Sequence, residues 1–289
     1  MDLESFNTSR ESLVPLLALN NKSNKNIIIF PTDKEAIEFS TDFSNLNKNI
    51  FHLPSWDTLS YDSFVPSFDI QGKRLEIAHL LLTNNNYNIA TSIKAISQRI
   101  YFEELEICKI ELNEEIDFDS LIENLIHLKY QRKDRVESKG SFALRGGQLD
   151  VYPINYDLPL RVIFDGDLVN EIKTFDTISQ RSVSEKKDIL IVPATELFQI
   201  KHSDILNLSS NKKENLDDYE LFQYSQSLDL EKCLLDLTSN VALHIVDKNI
   251  VDNQLKEIID IEKDTFENLK QYFSLEIRNF KSRYKDISK

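Results

Sequence analysis

Gly140-Ser-Phe-Ala-Leu-Arg-Gly-Gly-Gln-Leu-Asp-Val-Tyr-Pro153 gathers three of the chain's five glycines into one short stretch, and a fourth, Gly166, follows soon after. Lacking Cβ, these residues permit left-handed or closely approaching backbone, so turns are concentrated here. Between them, Gln148 to Tyr152 and Leu160 to Phe164 are rich in β-branched and aromatic residues and read as strands. Pro153 ends the first because it cannot donate to a ladder. Asp165-Gly166, with Arg161 to Phe164 before it and Asp167 to Ile172 after it, predicts a two-residue type I′ hairpin turn. The stretch is a compact antiparallel β-module, and its pattern is one of binding without catalytic machinery.

Towards the N-terminus the pattern changes. Asn26-Ile-Ile-Ile-Phe-Pro31 is an apolar run stopped by proline, and Thr32-Asp-Lys-Glu35 has the capping-box spacing that opens a helix. Asn49 to Pro54 and Tyr87 to Ala90 read as further strands, with an amphipathic helix over Gln71 to Leu82 between them. Alternating strands and helices imply a parallel sheet. Ile107 to Leu112 predicts a strand and Asp119 to Leu128 a helix. Asp188-Ile-Leu-Ile-Val192 is a last strand, ended by Pro193. Beyond it Asn207 to Asp218 reads as a polar loop, Val241 to Val246 as a buried strand, and Gln254 to about Tyr284 as one or two helices with Leu255, Ile258, Ile261, Leu269, Tyr272 and Phe280 on an apolar side. The expected organisation is three segments, 1–106, 107–193 and 194–289.

The chain has 289 residues, enough for two or three domains. Its net charge of −14 argues against a general nucleic-acid surface. Locally the balance reverses: Lys129, Arg132, Lys133, Arg135, Lys139 and Arg145 stand against only Asp134 and Glu137. Such a run is either a solvated face or a docking surface. Cys108 and Cys233 are far apart with no C-x-x-C spacing, which predicts buried free thiols. Met1-Asp-Leu-Glu-Ser has no basic n-region and no apolar run reaches the roughly 18 residues that span a bilayer, so a soluble, cytoplasmic protein is expected.

Catalytic signatures are missing. No G-x-x-x-x-G-K-[ST] occurs, and Gln71-Gly-Lys-Arg74 lacks the preceding glycine-rich loop that would cradle phosphate. His52, His79, His127, His202 and His244 share no metal-ligand spacing. Asp165 with Asp167, and Asp57 with Asp62, are carboxylate pairs beside turn or aromatic segments, where structural roles are expected. No G-x-S-x-G nucleophile elbow is present. Neither a cofactor nor a metal is expected, and the chain reads as a non-enzyme.

The glycine-punctuated stretch resembles a known family, the bacterial transcription-repair coupling factors, whose N-terminal part is similar to the excinuclease B subunit (UvrB). The residues that carry the resemblance are Gly140, Phe142, Arg145-Gly146, Leu149-Asp150, Pro153, Arg161 opening the Phe164 hairpin, and Phe175-Asp176 followed by Ser179-Gln-Arg-Ser182. Upstream, Leu53-Pro-Ser-Trp-Asp-Thr-Leu-Ser-Tyr-Asp-Ser-Phe64, with Pro66, Asp69-Ile70 and Arg74-Leu75, resembles the coupling factors more than the excinuclease subunit. The resemblance covers residues 27 to 193, and the last hundred residues match loosely. It implies an α/β fold: a helicase-like parallel-sheet body lacking a P-loop, formed by the first and third segments, with a mixed α+β module containing antiparallel hairpins inserted between them.

The resemblance further implies a partner, the excinuclease A subunit (UvrA), recruited to RNA polymerase stalled at damaged DNA. Polymerase and DNA would be met by domains absent from these residues, so the chain is expected to be a piece of a longer protein or a stand-alone relative. Arg145 and Arg161 are the implied contacts, and arginine suits the role because its planar fork binds carboxylates bidentately. The competing reading of either arginine is a salt bridge within the module, to Asp150 or Asp167. Phe164 and Asp165 complete the site. Relatives carry a second Phe where this chain has Asp165, which removes an apolar contact that Phe164 or Leu168 would have to compensate. Asp176, Gln180 and Arg181 are expected to shape the module. Two alternatives remain open: a degenerate nucleic-acid-dependent ATPase of the excinuclease B type, and a damaged-DNA binder using residues 129 to 145.

Overall fold

The computed structural model describes residues 4–8, 24–45, 50–58, 64–100, 102, 104–200 and 232–269. The expected loop over 207–218 and the apolar residues Tyr272 and Phe280 lie outside them. The chain is mixed α/β and packs as two units: Met1–Pro66 with Ile77–Tyr101 and Ile200–Lys289, and Ser67–Glu76 with Phe102–Gln199.

The first unit holds a parallel five-stranded sheet. Its strands are β1 (Glu4–Thr8), β2 (Lys25–Phe30), β3 (Phe51–Leu53), β4 (Tyr87–Ser92) and, much later in the chain, Ala242–Val246, in the order β1, Ala242–Val246, β2, β4, β3. Ile27 to Phe30 are all essentially inaccessible, as expected for a strand covered on both faces. Helix α1 (Asp33–Ser44) begins at Thr32, whose side chain accepts from the Glu35 N–H while Glu35 returns to the Thr32 N–H, the predicted capping box. Its Phe39 and Phe43 pack on Phe30, with Phe30 and Phe39 ring centroids 5.1 Å apart. α2 (Phe68–Thr83) is divided between the units at Glu76, and the short α3 (Ile93–Ser97) follows β4 with Ser92 as its N-cap.

β1 was not foreseen, since Glu-Ser-Phe-Asn-Thr has little apolar character, yet it pairs in parallel with the strand Ala242–Val246.

In the second unit, β5 (Cys108–Glu111) is followed by α4 (Phe118–His127), capped by the Asp117 side chain, which accepts from the Ser120 N–H at 2.7 Å. A six-stranded sheet then runs in the order β11, β10, β9, β8, β7, β6, from β6 (Gln131–Arg132), β7 (Ser141–Arg145), β8 (Gln148–Tyr152), β9 (Leu160–Asp165), β10 (Leu168–Phe175) and β11 (Ser182–Glu185). All neighbours are antiparallel except the edge pair β6 and β7. β12 (Asp188–Ile191) pairs separately with β5. β13 (Ala242–Val246) and α5 (Lys248–Leu269) complete the first unit. On α5, Val251 and Leu255 are buried but Ile261 is 58 % exposed, so the predicted apolar side turns to solvent there.

Periodicity gives no sign that Ser67–Glu76 packs with the second unit. Three contacts explain it. Gln71 Oε1 accepts from the Glu196 N–H at 2.9 Å, Arg74 Nε meets Glu196 Oε1 at 2.9 Å with both side chains buried, and Gly72 abuts the Ile154 backbone. A Cβ on Gly72 would sit 2.5 Å from the Ile154 carbonyl oxygen. Gln71-Gly-Lys-Arg74 is thus a helical packing surface, with its glycine serving close approach.

Gly72→Ala should therefore destabilise the second unit by about 2 kcal/mol, although alanine is the better helix former by about 1 kcal/mol. A differential melt of the variant showing unchanged or raised stability would contradict this packing. In the parallel sheet, His244 is buried, its Nε2 lies 3.3 Å from Asn26 Oδ1, and desolvation holds its pKa below the ordinary histidine value. The unfolded chain then binds a proton that the folded chain resists, so stability should fall as pH drops below about 6.5. Urea melts between pH 7.5 and 5.5 check this: His244→Gln should flatten the acid-side loss, and an identical slope in both proteins would refute the assignment.

Candidate docking face of the antiparallel unit

The two predicted arginines sit one strand apart and do different things. Arg161, on β9, is the cross-strand partner of Asp150 on β8. Its Nε donates to Asp150 Oδ1 at 2.7 Å and its Nη2 to Oδ2 at 2.8 Å, a bidentate pair with side-chain exposures of 17 % and 7 %. Hydrogen bonding to Asp150 raises the Arg161 pKa further above its already high value. The guanidinium also lies 4.5 Å from the Phe175 ring centroid, and its Nη1 donates to the Gln180 carbonyl at 3.4 Å. The intramodule reading of Arg161 thus describes its fork. Arg145 closes β7 and is exposed, with one long hydrogen bond from Nη2 to the Asp134 carbonyl at 3.4 Å.

The hairpin turn differs by one residue from the type I′ prediction. Asp165 pairs with Leu168, so the tip is Gly166-Asp167, and only Gly166 has positive φ, +63°. Glycine at the first central position is the type II′ arrangement, which asks nothing unusual of Asp165. The tip is anchored: the Asp167 carbonyl accepts from the Ile116 N–H at 2.8 Å, and Phe164 packs edge-on against Phe118 at 5.0 Å between centroids. Phe164 is 7 % exposed, whereas Leu168 is 37 % exposed and Asp165 faces solvent. Gly147 joins this tip to the one bearing Arg145, since the Phe164 N–H donates to its carbonyl at 2.7 Å and a Cβ there would lie 2.8 Å from the Phe164 oxygen.

Asp176 shapes the neighbouring turn as expected. Its Oδ1 accepts from the Ser179 N–H and hydroxyl at 2.7 and 2.8 Å, and these bonds lower its pKa. Gln180 sits at φ +59° with its side chain donating to the Thr177 carbonyl at 2.7 Å. Arg135, seen in the sequence only as part of a charge run, reaches across to donate to the Thr177 carbonyl at 2.8 Å. No local signal announces that contact.

The loops at the carboxyl ends of the parallel strands are where open α/β sheets bind ligands. Here Asp33, after β2, occupies that position with its own carboxylate: Oδ2 accepts from Ser55 at 2.6 Å and Oδ1 from Ser92 at 2.7 Å. Cys108 and Cys233 are free and buried, and burial pushes the Cys108 thiol up to about 12. Among the described residues no helix is long and apolar enough to cross a membrane.

Residues 108–197, which take in this antiparallel face, match the family described as the UvrB interaction domain. This match, with the likeness to UvrB proteins, marks a region similar to UvrB whose residues 108–197 correspond to an interaction domain. More particularly, the chain is similar to transcription-repair-coupling factors: that of Escherichia coli strain K12 is 29% identical over 174 residues, 59% of this chain and 15% of that protein. That of Bacillus subtilis strain 168 is 25% identical over 289 residues, 86% of this chain and 24% of that protein. The UvrABC system protein B of Fervidobacterium nodosum is 26% identical over 209 residues, covering 67% of this chain and 31% of that protein. The chain is thus similar to coupling factors and to UvrB proteins, and it spans less than a third of the length of each of these relatives.

Arg161→Ala would strand the nearly buried Asp150 carboxylate and should cost about 2–4 kcal/mol, while Arg145→Ala should stay within about 0.5 kcal/mol of wild type. Equal melting temperatures for the two variants would show that the Asp150 pair does not hold the sheet.

Proposed function

We propose that this chain is a docking module of transcription-coupled nucleotide excision repair, which binds the excinuclease A subunit through the hairpin ends of its antiparallel unit and so recruits it to stalled RNA polymerase. The observation that carries the reading is Arg145: exposed, held by a single long bond to a carbonyl, and set beside a tip whose backbone is fixed by Gly147 and Phe164. A charged fork on a rigid support loses little freedom when it binds a carboxylate. Arg161 and Phe164 belong to the same face and act mainly by fixing its shape, while Asp165 stands where the resemblance implies a second Phe and the exposed Leu168 offers the compensating apolar contact.

In this reading the parallel-sheet unit is a helicase-like body without a phosphate loop, its halves drawn from 1–106 and 194–289, with 107–193 as the inserted module. The Asp33 carboxylate at the strand ends supports a body that does not hydrolyse nucleotide, since it places negative charge where a phosphate would need donors. Contacts with polymerase and DNA belong to the rest of the longer protein.

Calorimetric titration of the A subunit tests the docking role. Wild type should bind, and Arg145→Ala should lose about 2 kcal/mol or more, roughly thirtyfold in affinity. Undiminished binding by the folded variant would remove Arg145 from the interface. Millimolar ATP with magnesium should leave the melting temperature unchanged, because a ligand specific to the folded state would raise it.

A further inference from the structure

The turn Asp176–Arg181 carries Ile178 at 87 % exposure, the most exposed of the large apolar side chains described. A lone exposed isoleucine is ordinary. This one is held unusually firmly. Asp176 Oδ1 binds Ser179 on one side of it, Arg135 Nη2 donates to the Thr177 and Ile178 carbonyls at 2.8 and 3.5 Å, and Gln180 fastens the turn to Arg161. Arg145 reaches the carbonyl of Asp134, the residue preceding Arg135. One chain of hydrogen bonds therefore links Arg145, Asp134–Arg135, Ile178 and Arg161.

Several cations of the unit meet carboxylates: Lys139 with Asp69, Arg161 with Asp150, Lys173 with Glu171. Arg132, Lys133 and Arg145, in the segment that carries Arg135, do not. Arg145 is held by a carbonyl, Lys133 by the Ser138 hydroxyl at 3.4 Å, and Arg135 by carbonyls plus a 3.7 Å approach to the exposed Glu137. Arg132 has no carboxylate partner among the described residues. Arg132, Lys133 and Arg145 are thus left without a carboxylate partner among the described residues, while Arg135 keeps a long one in Glu137.

We propose that Ile178 is an apolar anchor of the docking face, and that Arg132, Lys133, Arg135 and Arg145 form its cationic border, so that the partner presents an apolar recess edged by carboxylates. This deepens the docking function proposed above and rests on it. A protein partner fits the strip better than nucleic acid does, because the aromatics of this stretch, Tyr130, Phe142 and Phe175, are buried and offer no stacking platform. Central apolar contacts govern how long a complex lasts, while border charges govern how fast it forms.

Association and dissociation rates of the full chain with the excinuclease A subunit, measured at low and moderate salt, separate the two roles. Ile178→Ser should dissociate about tenfold faster with little change in association. The double variant Arg132→Glu, Lys133→Glu should associate about tenfold more slowly at low salt, the difference shrinking as salt rises. Both positions are exposed and pin no backbone, so both variants should melt like wild type. Wild-type rates in both variants would overturn the inference while leaving the docking function standing. No binding by the wild-type chain would reject the docking function and the inference with it. Tight, steeply salt-dependent binding of duplex DNA, abolished by the double variant, would overturn it in favour of a nucleic-acid surface.

Discussion

The bidentate pair between Asp150 and Arg161 fixes the antiparallel unit at its middle. It spans β8 and β9, the two central strands of the six, and stands on the same side as Ala143, Val136 and Phe175. A carboxylate this enclosed is tolerable only while its partner stays in place. Arg161 in turn touches the Gln180 turn, so a single ion pair sets both the sheet register and the position of the segment that displays Ile178. Rigid placement of exposed groups by enclosed ones is what a recognition surface requires, because freedom lost before binding is not lost on binding.

The two units use opposite strategies. The parallel sheet buries continuous apolar strands, Ile27 to Phe30 above all, and closes its strand ends with Asp33, Ser55 and Ser92. The antiparallel unit ends its hairpins in tight glycine turns at Gly146 and Gly166 and leaves charged groups at the rim. The first has the character of a scaffold and the second of a contact surface.

Much of the local structure was legible. The apolar run 26–31, the capping box at Thr32, the strands 148–152 and 160–164 and the helix after Asp117 follow from patterns confined to a few residues. What escaped depends on partners far away in sequence. β1 is recruited by a strand more than two hundred residues later, and Ser67–Glu76 joins the second unit through Glu196 and Ile154. The hairpin tip moved by one residue because Asp165 found a ladder partner in Leu168. At the candidate site, the family resemblance pointed to both arginines, but only geometry separates the enclosed fork of Arg161 from the open one of Arg145. Nothing local in Thr177-Ile178 reveals that Arg135 would reach it.

Hydrogen–deuterium exchange of the chain with and without the excinuclease A subunit tests the central claim most directly, because it reports on every segment at once. Binding through the hairpin ends predicts slower exchange over β7 to β10 and the Asp176–Arg181 turn, with the parallel sheet unchanged. Protection confined to the parallel-sheet unit, with those hairpins exchanging as they do in the free chain, would contradict the account.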